Sequence, residues 1–214
     1  MSDIIYFLHH SGFIYENETS LLVFDFYKDP ENRLETLLKD STKKLYFFVS
    51  HYHADHFNRD IRRWEERAEA YIMHKNCWLT MDREEKKHLM VPGDTLTIGD
   101  LTVTMYGSTD EGGSFLVKSG GKTIFHAGDL NWWHWEGEDK AWNANMAADF
   151  KRYTEPLRGR CADLALLRII WPPGGTSSMS CPVFPKDRSM WPFSRWMPGS
   201  RRPASGASWH ILKG

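Results

Sequence analysis

Within six positions, His51-Tyr52-His53-Ala54-Asp55-His56, the chain carries three imidazoles and one carboxylate. Neutral imidazole nitrogens and carboxylate oxygens suit zinc, iron or manganese. On a helix, His51 and His53 would point apart. In a loop they converge on one ion, while Asp55 and His56 turn toward a second. A second signal is Gly128-Asp129, which ends the expected strand 123–127 and puts a carboxylate there, where it can bridge two ions. His126 and His134 flank Asp129. Each is either a substrate-binding or proton-moving group, or a packed, hydrogen-bonded imidazole. Trp132, Trp133 and Trp135 follow at once, as a wall that keeps water from a pocket or as anchors for their loop, and the first role is preferred. His9, His10, His74 and His88 lack supporting spacing and read as structural or exposed.

These residues need elements to position them. The run 45–49 is continuous and apolar, as in a central strand covered on both faces, so the histidine cluster stands at a strand's C-terminal end. Strands are also expected over 4–8, 20–26, 70–73, 95–98, 101–106, 114–118, 123–126 and 163–167, with turns at Gly99-Asp100 and Gly120-Gly121. Helices are expected from Pro30 to Leu38, with Leu34, Leu37 and Leu38 as the apolar face, over 57–70, and over 141–157. Residues 75–87 read as helical or irregular. This order predicts a layered α/β protein with helices outside the sheets.

At 214 residues, 41% hydrophobic and 26% charged, the chain has material for one sizeable core. No apolar run reaches the ~18 residues of a membrane span, and the N-terminal 13 residues, without Lys or Arg, make a poor signal peptide. Three cysteines, Cys77, Cys161 and Cys181, share no close spacing. A reducing, cytoplasmic setting is the default. A net charge of -1 offers no electrostatic case for nucleic acid.

The motif and its context resemble the metallo-β-lactamase-fold hydrolases, in a divergent small-hydrolase branch, over residues 1–168. HxHxDH is intact as His51, His53, Asp55 and His56, the family's early aspartate is matched by Asp25 in Leu22-Val23-Phe24-Asp25, and its bridging aspartate by Asp129. The resemblance implies a four-layer αββα sandwich with a two-metal site, zinc first and Mn2+ or Fe2+ as alternatives, at one edge. Asp25 then reads as an acceptor behind the ligands that fixes a ligand imidazole. Two departures stand out. Ser108, in Gly107-Ser108-Thr109-Asp110-Glu111-Gly112, occupies the place of a family ligand histidine, so Asp110 or Glu111 substitutes as oxygen donor, or water does. The family's last strand and final histidine are expected after residue 163, where only His210 remains.

Residues 169–214 differ from the rest. They hold seven of the ten prolines and one acidic residue, Asp187. They read either as a long covering loop or, preferentially, as a Pro/Ser/Trp-rich tail foreign to the fold, for example after a shifted reading frame; resequencing the coding DNA near codon 167 decides. Losing an outer strand would expose a sheet edge and invite self-association, so a homo-oligomer stays open. The functional expectation is a metal-dependent hydrolase acting on a small ester, lactone or phosphoester. Asp55 or Asp129 would orient the attacking water and take its proton, and His134 would assist. No Gly-x-Ser-x-Gly elbow points to a serine hydrolase. The alternative is a catalytically impaired metal-binding protein without the complete ligand set.

Overall fold

The computed structural model describes residues 3–167. The readings of 169–214, Cys181 and His210 therefore lie outside the described residues. The chain begins with β1 (Ile4–Phe7), β2 (Phe13–Glu16) and β3 (Ser20–Phe24), then α1 (Arg33–Leu38), β4 (Lys44–Val49), β5 (Ala68–His74) and β6 (Lys87–Met90). A second run follows: β7 (Thr95–Ile98), β8 (Leu101–Gly107), β9 (Gly113–Ser119), β10 (Lys122–His126), α2 (Lys140–Thr154) and β11 (Leu164–Leu166).

The strands form two mixed sheets, ordered β1-β2-β3-β4-β5-β6 and β11-β10-β9-β8-β7. β3, β4, β5 and β6 run parallel, as do β10 and β11; the other neighbours are antiparallel. Alternation along each strand sorts side chains to opposite faces. Leu22, Phe24, Phe48 and Ile72 meet Val103, Met105, Phe115 and Val117 between the sheets. On the outer face of the first sheet, Val23, Phe47, Val49 and Tyr71 pack with Leu34 of α1 and with Ile61 and Trp64. On the outer face of the second, Leu116 and Phe125 pack with Phe150 of α2 and Leu157. Helix, sheet, sheet and helix are thus four layers around three apolar seams, the αββα sandwich expected from the sequence. Burying a Phe or Leu fully stabilises by about 1.5–3 kcal/mol, so β4, apolar on both faces, anchors the edge that carries the histidines.

Several elements differ from expectation. The stretch 57–70 holds a 3-10 helix, Arg59–Trp64, in place of the expected α-helix. Its buried residues, Ile61 and Trp64, are three apart, the spacing that eclipses side chains in a 3-10 helix. α1 begins at Arg33, after Pro30, and buries Leu34 alone, with Leu37 and Leu38 partly covered. Residues 75–83 are irregular, and Glu84–Lys86 forms one 3-10 turn. β2 and β6 are strands that sequence reading did not anticipate. Among the described residues no helix is long and apolar enough to cross a membrane.

Candidate metal centre

β3, β4 and β10 end at one edge of the sandwich, and the β8–β9 loop reaches the same edge. There the backbone turns sharply. Asp25, directly after β3, adopts a left-handed φ of 44°, a conformation that Asp tolerates better than most residues. Its amide donates to the Phe48 carbonyl at 2.9 Å, so its side chain is tucked beneath the end of β4. The histidine turn is closed by the amides of His56 and Phe57, which both donate to the His53 carbonyl, at 3.0 and 2.9 Å. The loop geometry therefore lets the imidazoles converge.

A buried network lies behind them. Asp25 Oδ1 accepts from the Ser50 amide at 2.8 Å. Asp25 Oδ2 accepts from the Ser50 hydroxyl at 2.7 Å and faces His56 Nδ1 and His126 Nε2, each at 2.8 Å. All four residues are at most 1% exposed. Burial opposes the carboxylate's charge, yet the imidazoles of His126 and His56 outweigh it and hold Asp25 well below the usual carboxylate range. For His56, burial disfavours the cation, but Asp25 and Asp129 raise the ring to about 10. His51 goes the other way, to about 4, through burial and the neighbouring His56, with Asp25 and Asp129 opposing.

Two donor groups emerge in front of this network. His51, His56 and Asp129 bring one ligand atom each within 4.8 Å of one another, and all three are buried. His56 Nε2 stands 3.1 Å from Asp129 Oδ1. The second group is His51, His53 and Asp110. His51 Nε2 lies 3.1 Å from His53 Nδ1, and Asp110 Oδ2 lies 3.7 Å from that same Nδ1. His51 belongs to both groups.

The fates of the other sequence candidates vary. Asp55 reaches to 3.9 Å from His56 Nε2 but joins neither donor group. Asp25 faces His56 and His126 behind the donor groups, each at 2.8 Å. His126 is packed and hydrogen-bonded to it, with rings of Phe24 and Phe13 alongside. His134 is exposed and in neither donor group. Trp132 packs on Phe150, Trp133 stacks on Trp135, and the Trp135 backbone is tied to Asn143 of α2 through two hydrogen bonds. These contacts anchor the loop to α2. His74 is buried, and its ring is lowered in pKa by burial; His9 and His10 stack on each other.

Ser50, Thr109 and Gly112 hold the centre together, and sequence reasoning gave neither Ser50 nor Gly112 a role. Ser50 links Asp25 to His51 Nδ1, 2.9 Å from its hydroxyl. Thr109 ties the two aspartate-bearing loops: its hydroxyl donates to the Asn131 carbonyl at 2.6 Å and accepts from the Asn131 amide at 2.9 Å. Gly112, at a φ of 75°, lets the β8–β9 loop approach so closely that a Cβ there would lie 2.1 Å from the Ser50 carbonyl. Ser108 is buried and accepts from the Asp110 amide at 3.3 Å. It thereby steadies the residue whose carboxylate faces His53.

No family model matches the chain, and no curated protein does. Solved structures of similar chain path include the following. A metallo-β-lactamase with a HARLDQ motif from Cronobacter sakazakii is 16% identical, over 72% of this chain and 66% of that one, with a TM-score of 0.49. A metallo hydrolase from the hyperthermophilic archaeon Ignicoccus hospitalis is 16% identical over 60% of this chain, at a TM-score of 0.46. The metallo-β-lactamase-fold protein YhfI from Bacillus subtilis is 19% identical over 57% of this chain and 58% of its own, at a TM-score of 0.39. The match spans 61% of the length of the archaeal protein. At these identities the likeness is one of fold.

Proposed function

We propose that this protein binds a divalent cation, zinc before manganese or iron, and that among its described residues the ligands suffice for one tightly held ion rather than two. The observation that carries this reading is the sharing of His51. Its Nδ1 is engaged by Ser50, so Nε2 is the nitrogen left for either donor group, and one lone pair serves one ion. The all-buried set His51, His56 and Asp129 is the stronger holder. Two imidazoles and a carboxylate fit zinc, and His56 Nε2 and Asp129 Oδ1 face each other at 3.1 Å within the buried set. Asp110 and His53 then supply a weaker, half-exposed neighbouring site. On this reading the chain is a metal-binding protein on a hydrolase-type fold with an incomplete two-ion set.

A second reading, a working metal-dependent hydrolase of a small ester, lactone or phosphoester, draws support from the donor count. Catalytic zinc sites use three protein ligands where structural sites use four. A bound ion would lower the pKa of water toward ~7 and offset negative charge on a substrate oxygen. The chain's own residues would do the rest. Asp55, half-exposed and next to His56, accepts a proton from water. Asp110 and His53 orient polar substrate atoms at the open side. The test is metal content per chain together with turnover of a simple lactone and of a phosphodiester. One ion without turnover supports the impaired binder. One or two ions with turnover, lost in Asp55→Asn, supports the hydrolase. No bound ion overturns both.

A further inference from the structure

We infer that Ser50 is a positioning residue: its hydroxyl fixes the His51 ring so that Nδ1 carries the proton and Nε2 presents a lone pair to the donor groups, so that Asp25 governs three imidazoles, His56 and His126 directly and His51 through Ser50. Asp25 faces four donor atoms: the Ser50 amide, the Ser50 hydroxyl, and ring nitrogens of His56 and His126. A carboxylic acid has one proton to give, and two imidazoles and a hydroxyl contend for the same oxygen, Oδ2. The O–H oxygen of a carboxylic acid accepts poorly, so a proton on Oδ2 would weaken the other two contacts there; an ionised Asp25 accepts in all four. Ser50 therefore spends its single hydroxyl proton on Asp25, at 2.7 Å. Toward His51 Nδ1, at 2.9 Å, the same oxygen can then only accept, and the ring proton must sit on Nδ1. His51 Nε2 is left as a lone pair, facing His53 Nδ1 at 3.1 Å.

The packing keeps Ser50 in place. A Cβ on Gly128 would stand 2.8 Å from the Ser50 Cβ and 2.9 Å from its hydroxyl oxygen, and Gly113 donates its amide to the Ser50 carbonyl at 3.1 Å. Two loops of the second sheet thus close over a serine of the first. His51 is the one residue common to both donor groups, so a wrong tautomer there would close both to a cation at once. Groups that orient a ligand from behind typically contribute about 10–100-fold in metal affinity.

The inference rests on the metal-binding reading for its purpose but not for its test. The ring nitrogens of metal-free, 15N-histidine-labelled protein at pH 7, read by long-range 1H–15N correlation, show the tautomer directly. The expected pattern for His51 is a protonated Nδ1 and an unprotonated Nε2. In Ser50→Ala that pattern gives way to a mixture of tautomers, and zinc affinity falls about 10–100-fold. A wild-type His51 protonated on Nε2 overturns the inference without any variant having to fold. So does a Ser50→Ala protein whose His51 pattern and zinc affinity match the wild type. Failure of the wild type to bind zinc would defeat the metal reading alone, since the ring spectrum still decides the role of Ser50.

Discussion

At the scale of single residues, the centre is built on a division of labour between acidic groups. Asp25 is fully buried and faces inward to the histidines, whereas Asp129 and Asp110 face the donor groups. Changing Asp129 to Asn keeps the shape and removes the charge. Substitutions behind a ligand already cost about 10–100-fold in affinity, so Asp129→Asn should weaken zinc binding by at least about tenfold in a competition titration. Asp110→Asn, in the more exposed group, should change it much less. Cysteine chemistry offers a separate check. Burial, with Asp25 adding, pushes the Cys77 thiol up to about 12, and the thiolate is the reactive form. Cys161 is exposed. Iodoacetamide at pH 8 should therefore mark Cys161 in the native protein and reach Cys77 only after unfolding, as peptide mapping by mass spectrometry would show.

At the scale of elements, the site exists because strand ends from two sheets meet, and the close contact runs through glycine. Gly112 sits at a positive φ with its missing Cβ 2.1 Å from the Ser50 carbonyl. Gly112→Ala combines backbone strain with overpacking, each costing about 1–3 kcal/mol, so the melting temperature should drop by several degrees and zinc binding should weaken with it. An unchanged melting curve would contradict the contact. The same contact marks what the sequence conceals. HxHxDH, Asp25 and Asp129 are legible because their types and their place after apolar runs already specify chemistry. The hairpins about Gly99-Asp100 and Gly120-Gly121 are legible from turn residues. Ser50, Thr109 and Gly112 are common residue types whose roles arise from partners far along the chain, Ser50 on Asp25 and Thr109 on Asn131. β2 is four residues long and β6 carries an exposed Leu89, so neither shows a strong period. Local charge made 57–70 look helical, while packing selected a 3-10 turn over Ile61 and Trp64.

At the scale of the whole molecule, the cation should act as a staple. Its ligands come from β4's end and from the loop after β10, one in each sheet, so binding favours the closed sandwich over any opened form. A ligand at a hundred times its dissociation constant stabilises the folded state by about 2.7 kcal/mol. Excess zinc should therefore raise the melting temperature, and a chelator should return it to the metal-free value. A shift of the same size in His51→Ala would place the stabilising ion elsewhere.

The central claim is that one imidazole, His51, is shared between two three-donor groups and so limits the described residues to one tight ion. Equilibrium zinc titration against a chromophoric competitor, read as ions held per chain in the wild type and in His51→Ala, tests it most directly. The account predicts one tight ion in the wild type and none in the variant. Two tight ions in the wild type, or an undiminished one in His51→Ala, would contradict it.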